Sequence, residues 1–545
     1  MADYTTISEV SKGLFVFVPG LPSRAPKGRA PWQTLVDRLR ADLEPNWRVE
    51  VFEHGLTATS RVDLDQVVRG LAAQVRDWTG ELSTDVTPPD AIILAGHSFG
   101  GILARAAYLQ DATAPERTGH PWTDRVKRIV LLGSPNAGYR TDAPGTPLRW
   151  RLAYALATPF VDFTFEKVIA GGYWITDLRL RWLEAFRAKD VHRPRVIQVL
   201  GTSDYLVTHA DVLDQKFMPR AKVYEIPGAD HGGLIALDAA KDPRRRYRQL
   251  KDAILGRPDE TVAQERDPVT APTVFILHGI RASALGTWVQ DLGDAFAKHA
   301  PDAAVISPDT GYFSAMEFAL PGTRRRKVHE FLRLYGEAYA TRDPDRFVFA
   351  GHSNGTYMMA QSLDRVPAMR FKRIYLAGTV LPRRYDWQRL FENGQVGHRV
   401  DGEWRQGEVR VDRATQDVPV GILCSWLRGL GSDDVGTAGV DGFENITGRA
   451  VDQHLVLAGG HGAALQHPPQ LRSIADYLAR DEADAMSAST TTGDASPRRG
   501  WRGRAFSIAS RIVGLPLVSW ILLGGLGLLA LFGLVKLGRA KGTKA

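Results

Sequence analysis

Two stretches of this chain, with serines 255 positions apart at Ser98 and Ser353, carry the same junction. An apolar run (AIILA, from Ala91; RFVFA, from Arg346) enters G-H-S-x-G, and a helix-compatible run follows (ILARAAYL; TYMMAQSL). That junction constrains the fold because a serine between such glycines sits on a sharp strand-to-helix turn, with its hydroxyl exposed above a sheet. The neighbourhood is repeated as well. Leu14–Gly20 (LFVFVPG) and Val274–Gly279 (VFILHG) read as buried strands ending in a glycine turn, and Trp32 and Trp288 follow at helix starts. RIVLLGSP (128–135) matches RIYLAGTV (373–380), and PGADHGG (227–233) matches AGGHGAA (458–464). Gly20 to Ser98 is 78 residues and Gly279 to Ser353 is 74. Continuous apolar strands alternating with helical stretches indicate parallel sheets covered on both faces. A period this long is too large for a solenoid and describes two copies of one domain.

A length of 545 residues fits two domains of about 200–250 residues each. The expected fold class is therefore α/β, with tandem domains at 1–255 and 272–480 joined by a polar, proline-bearing linker at 256–271.

A serine hydroxyl needs a base, and the base needs an orienting acid. In an open parallel sheet these project from loops at the carboxyl ends of later strands. His231 and His461 meet that order, 133 and 108 residues after their serines. The acid belongs just after the strand preceding the histidine loop. In the first half VIQVL leads to Asp204, with Asp211 and Asp214 as rivals further on and Asp230 beside the base. In the second half VGILCSW reads as the strand, which makes Asp433 or Asp434 the acid, a longer excursion than in the first half. Oxyanion donors are expected from the backbone N–H after each nucleophile, Phe99 and Asn354, and from the loop after the glycine-ended strand, Leu21 and Ile280.

The strand–PG or HG turn, GHSFGG or GHSNG, and Asp then His in that order resemble the α/β-hydrolase superfamily. GHSFGGILARAAY followed by RIVLLGSPNAG is similar to its lipase and serine-esterase branch. The resemblance covers about 1–255 and, more loosely, 270–480. It implies hydrolysis through an acyl-enzyme with no metal and no organic cofactor. Thioesterases, acyltransferases and non-catalytic members share the fold, so the fold alone does not name a substrate.

Two inserts differ in character. Residues 139–195 hold ten aromatics in 57 residues, about twice the chain's 9%, as an apolar lid over an acyl or lipid pocket would. Residues 382–417 hold 14 charged residues in 36, which suits a polar substrate, a partner surface or a regulatory role. Cys424 is the chain's single cysteine, which excludes an internal disulfide framework and a cysteine-rich zinc module. The net charge of +8 is not a nucleic-acid signature, because the nine basic residues from Arg498 onward, with no acidic one among them, account for all of it.

Ile512–Val535 is 24 residues without a charge, about 36 Å as a helix and long enough to span a bilayer. It is expected to be a C-terminal transmembrane helix, preceded by a polar then basic tether (481–511) and followed by a basic tail (536–545). MADYTTISEVSKG lacks an apolar signal region, so the domains are expected on the cytoplasmic side of a single-pass anchor. Taken together, these features describe a membrane-anchored serine hydrolase cleaving carboxylic esters of acyl or lipid substrates. The competing reading is a membrane-anchored scaffold or sensor in which the second domain, or both, binds without cleaving.

Overall fold

The computed structural model describes the chain except residues 1–9, 11, 24–27, 58, 82–86, 116–120, 141–163, 189–190, 208–210, 212–213, 215–220, 256–266, 280–286, 309–314, 320, 445–449, 481–500 and 526–545. It divides into two compact units. Unit 1 comprises Met1–Val269 and His329–Thr341; unit 2 comprises Thr270–Val328 and Arg342–Ala545.

Unit 1 is built on six strands: β1 (Gly13–Val18), β2 (Trp47–Val51), β3 (Ala91–His97), β4 (Val126–Leu132), β5 (Arg195–Gly201) and β6 (Lys222–Ile226). They lie in the order β2-β1-β3-β4-β5-β6, and every pairing is parallel. Unit 2 contains β7 (Thr273–Leu277), β8 (Ala304–Ile306), β9 (Phe347–His352), β10 (Arg373–Ala377), a small hairpin β11 (Gly397–Val400) and β12 (Glu403–Gln406), β13 (Glu408–Ala414) and β14 (Val451–Leu457). Its main sheet runs β8-β7-β9-β10-β13-β14, again all parallel, and so repeats the topology of unit 1 strand for strand.

Hydrophobicity explains the central strands. All six residues of β1, all seven of β3 and all five of β7 are buried, because helices cover both faces of each sheet. On one face of the first sheet Phe15, Phe17, Ile93 and Val130 pack with Leu35, Leu39, Leu250 and Ile254 from flanking helices. The second sheet repeats this with Val274, Ile276 and Ala350 against Leu292, Phe296, Ile474 and Leu478.

Register then places the serines. β1 pairs with β3 from Gly13↔Ala91 to Val18↔Gly96, so both strands end together and the loop after β1 meets the turn after β3. Close approach there demands glycine. A Cβ on Gly100 would overlap the Val18 carbonyl oxygen, and one on Gly355 would overlap that of Leu277.

Two parts of the linear reading are revised. VGILCSW is not a strand: Pro419–Cys424 and Ser425–Gly429 are helical, and the strand before the acid is β13. A short apolar run can be a buried strand or a buried helix, and Pro419 at the first turn suits the helix. β13 (EVRVDRA) escapes a hydrophobicity search because its charged side chains are individually accommodated. Tyr375 donates to Asp412 at 2.9 Å, and the Arg410 guanidinium lies 4.2 Å from the Tyr477 ring centre. The second revision concerns His329–Thr341, which groups with unit 1 rather than with the domain that contains it in sequence. Arg187 there donates to the carbonyls of Tyr339 and Ala340, both at 2.8 Å.

The expected linker falls largely on residues outside those described, and unit 2 also includes the helix Trp501–Val513. The expected membrane segment is only partly described. Among the described residues no single helix is long and apolar enough to cross a membrane. Arg504–Val513 and Pro516–Gly525 form a pair bent by 76°. Pro516 has no N–H and its ring disfavours a helical Leu515, so the helix ends at Val513 and restarts at the proline. Residues 526–535 of the expected span lie outside the described residues.

Gly100→Ala should lower stability by about 1–3 kcal/mol, since Val18 belongs to a central strand and cannot yield. Gly70→Ala, in the exposed interior of the helix Leu64–Trp78, should raise it by about 0.5–1 kcal/mol. Thermal unfolding of the two variants beside the parent checks both signs.

Candidate active site

Ser98 has φ 54° and ψ −122°, and Ser353 has φ 55° and ψ −122°. Besides Asp401, they are the only non-glycine residues with positive φ among those described. Such strain persists where surrounding structure over-determines it, and it clusters at functional sites. Each serine directly precedes a helix, Phe99–Ala112 or Asn354–Arg365, so the Phe99 and Asn354 N–H groups are the first of their helices. A helix N-terminus offers unpaired N–H groups and a partial positive charge to a developing oxyanion.

In unit 1, the loops after β3, β5 and β6 bring three of the expected side chains together. His231 Nε2 lies 2.7 Å from Ser98 Oγ, and His231 Nδ1 lies 2.8 Å from Asp204 Oδ2. The Asp204 carboxylate is almost wholly buried and takes the Leu206 N–H at 2.9 Å on its other oxygen, which fixes its orientation. The rival acids are engaged elsewhere. Asp214 pairs with the buried Arg179, Asp211 accepts from the Ala137 N–H, and Asp230 accepts from the Gly233 N–H. Leu21 follows Gly20, where a Cβ would come within 3.0 Å of Ser98 Cβ, so its loop passes beside the nucleophile.

A fourth side chain is present that the sequence reading did not single out. Tyr139, the first residue of the aromatic insert, lies with its hydroxyl 2.7 Å from Ser98 Oγ. Its oxygen also takes a hydrogen bond from the Phe99 N–H, and burial pushes its ionisation well above the usual tyrosine range. The donor directions follow from the acid. His231 Nδ1–H donates to Asp204, so Nε2 accepts from Ser98, and Ser98 Oγ accepts from Tyr139 O–H. The Tyr139 oxygen thus sits between the nucleophile and an expected oxyanion donor, the place a substrate carbonyl oxygen would take. Elsewhere in the insert, Trp182 and Phe186 are core residues of the helix Tyr173–Arg187, while Trp150, Tyr154, Phe160 and Phe163 lie outside the described residues.

Unit 2 places Ser353 and His461 on the equivalent loops, but its acid differs from the expected one. His461 Nδ1 bonds Asp417 Oδ2 at 2.7 Å. Asp433 is exposed, and Asp434 accepts from Arg324 at 3.2 Å and Tyr357 at 2.7 Å. Asp417 is fully buried and takes the Val420 N–H at 3.0 Å. A usable signal was present: RVIQVLGTSD ending at Asp204 and EVRVDRATQD ending at Asp417 have the same length, with the acid three residues beyond the strand in both. A second difference concerns the base. Among the described residues His461 Nε2 is buried with no hydrogen-bond partner, unlike His231 Nε2. Phe318, Val380, Pro419, Leu423 and Cys424 line a small apolar pocket with Ser353. Ile280 lies outside the described residues.

The histidine before each serine has its own duplicated role. His97 Nε2 bonds the His231 carbonyl and His352 Nε2 bonds the His461 carbonyl, each at 3.0 Å. Burial, reinforced by the neighbouring His231 or His461 ring, pushes both imidazoles down to about 3. They are neutral N–H donors that anchor the loop carrying the base. Among the described residues, no group of three or more His, Cys, Asp or Glu side chains is placed to hold a metal ion.

The sequence profile described as the Alpha/beta hydrolase family matches residues 15–246, a span that includes Ser98, Asp204 and His231. None of the curated proteins matches the chain. Solved structures similar to part of it include a Thermogutta terrifontis esterase (14% identity, covering 46% of this chain and 85% of that one, TM-score 0.31). A Paleococcus ferrophilus monoacylglycerol lipase matches at 15% identity over 44% of this chain and 93% of that one, TM-score 0.29. The peroxisomal alpha-beta-hydrolase Lpx1 of Saccharomyces cerevisiae matches at 16% over 47% and 81%, TM-score 0.29.

Two outcomes are expected. Tyr139→Phe removes the hydroxyl that competes for the Phe99 N–H; one neutral hydrogen bond is worth about 0.5–1.5 kcal/mol, so fluorophosphonate labelling of Ser98 should accelerate about 2- to 10-fold. The second concerns acid. An unfolded histidine binds a proton near pH 6.5, whereas His97 and His352 in the folded chain do so only near 3. The unfolded state therefore holds more protons in that window. Stability should fall with decreasing pH below about 6.5, by at most ~1.4 kcal/mol per pH unit for each histidine. Denaturant melts across that range, with His97→Gln as the flattened comparison, read the slope.

Proposed function

We propose that the chain is a membrane-anchored serine hydrolase that cleaves carboxylic esters of acyl or lipid substrates, with Ser98, His231 and Asp204 as its triad. The observation that carries this reading is the unbroken run Ser98–His231–Asp204, with contacts of 2.7 and 2.8 Å. On this reading His231 Nε2 takes the Ser98 proton as Oγ attacks the ester carbonyl, and Asp204 stabilises the imidazolium that forms. The oxyanion replaces the Tyr139 hydroxyl at the Phe99 N–H, with the Leu21 N–H as second donor. The imidazolium then protonates the leaving alcohol, leaving the acyl group on Ser98. Water, deprotonated by His231, attacks that acyl-enzyme and releases the acid. The apolar C-terminal segment supports the membrane assignment, because a tethered enzyme meets water-insoluble esters at raised local concentration.

For unit 2 we propose a second site of the same kind, Ser353–His461–Asp417, held in a resting arrangement. One observation favours a different reading, a hydrolase-like module that binds without cleaving: the unpartnered His461 Nε2 leaves Ser353 unactivated as it stands.

Ester turnover and fluorophosphonate labelling separate these readings. Ser98→Ala should abolish labelling at position 98 and remove at least about 10³-fold of the unit 1 rate. A parent protein that is not labelled at Ser98 would overturn the hydrolase reading. In the Ser98→Ala background, residual turnover that Asp417→Asn removes and Asp433→Asn leaves intact assigns catalysis to unit 2. Complete loss of turnover on Ser98→Ala assigns binding to it.

A further inference from the structure

The C-terminal apolar segment raises a question that an anchor alone does not answer: its serines point at protein. In the bent pair Arg504–Val513 and Pro516–Gly525, Ser507, Ser510 and Ser519 are all buried. Ser507 Oγ donates to Asp441 at 2.9 Å, and Ser510 Oγ lies 2.9 Å from Ser425 Oγ. Trp426 Nε1 donates to the Ser519 carbonyl at 3.0 Å. Two glycines let the segment lie close: a Cβ on Gly421 would overlap the Phe506 ring, and one on Gly429 would overlap Ser519 Oγ. The helical stretch beneath, 419–429, begins two residues after Asp417 and contributes Leu423 and Cys424 to the pocket beside Ser353.

The opposite face is apolar and faces solvent. Ile508, Ile512, Leu515, Leu517, Trp520 and Ile521 are between 51% and 73% exposed. Among the described residues no other segment covers them. Arg504 and Arg511 are exposed on the same element, the sequence has no acidic residue from Arg498 to its end, and the uncharged run continues to Val535. An apolar face with basic residues at its edge and none of the opposite sign suits the hydrocarbon and anionic headgroups of a bilayer.

We infer that residues 504–523 form a ledge docked on unit 2, whose inner serine face grips the 419–429 stretch and whose outer apolar face is the bilayer contact. This deepens the membrane reading proposed above and rests on it. The first part of the segment is then a fixed platform rather than a free tether. It holds the stretch that lines the Ser353 pocket against the membrane surface, where an acyl chain leaving the lipid would meet it.

The full-length protein, reconstituted in phosphatidylcholine–phosphatidylglycerol vesicles, tests this with cysteine pairs in a Cys424→Ser background. Ser425→Cys with Ser510→Cys should crosslink on mild oxidation while the protein floats with the vesicles, and Asp441→Cys with Ser507→Cys should do the same. Ser425→Cys with Ile512→Cys should not crosslink, and the thiol in Ile512→Cys should lose at least tenfold in reactivity toward a water-soluble maleimide when vesicles are added. Thermal unfolding of each variant beside the parent, read by circular dichroism, reports that unit 2 is folded. Flotation without either crosslink would overturn docking and leave the membrane reading standing; an Ile512→Cys thiol equally reactive with and without vesicles would overturn the bilayer contact of the outer face, and with it the ledge. Failure to float at all would overturn the membrane reading, and the ledge with it.

Discussion

The conformation of a single residue, repeated once, organises each unit. Ser98 and Ser353 are held at φ 54° and 55°, where a β-carbon is unwelcome, because a central parallel strand must reverse into a helix within one residue. The backbone on either side leaves no room to relax, since glycines at 100 and 355 lie against carbonyls of the adjacent strand. The outcome is a hydroxyl raised above the sheet, beside a helix N-terminus and facing the loops of later strands. The position of the base, of the acid and of the expected oxyanion donors is fixed relative to that turn.

The two units share this geometry and differ in what surrounds it. In unit 1 the serine is bonded on both sides, to His231 and to Tyr139, so the hydrogen-bond chain is complete without substrate. Such a closed chain leaves the Ser98 hydroxyl with a hydrogen-bond partner on each side. In unit 2 the acid–base pair is equally tight at 2.7 Å, yet the imidazole's other nitrogen is unpartnered and the pocket beside the serine is small and apolar. The same scaffold thus carries one assembled site and one whose serine and histidine have still to meet. His97 and His352 are the part that does not vary, each holding the carbonyl of the following base at 3.0 Å.

Errors in the linear reading have a common origin. The missed acid, Asp417, follows a strand whose alternation is masked by Asp412 and Arg410. Their charges are tolerated because Tyr375 and Tyr477 lie across from them, partners distant in sequence. The run VGILCSW looked like a strand because its hydrophobicity reports burial and not shape. Tyr139 was counted among aromatics without being distinguished from them, since nothing local says that its hydroxyl will reach Ser98, 41 positions earlier.

Local covalent and hydrophobic patterning determined a good deal by itself: the duplicated strand–turn–helix junction, the parallel α/β class, and three side chains, Ser98, His231 and Asp204, that the fold brings within hydrogen-bond distance. These are features in which a few neighbouring residues fix the backbone, as glycines do around a strained serine or apolar runs do in a strand buried on both faces. Tertiary structure alone decided the pairing of His461 with Asp417, the approach of the Tyr139 hydroxyl to Ser98, the inclusion of His329–Thr341 in unit 1, and the hydrogen bonds of Ser507 and Ser510 to Asp441 and Ser425. Each of these depends on which distant groups become neighbours after the sheets form, and a hydrogen bond across the fold leaves no periodic trace in the order of residues.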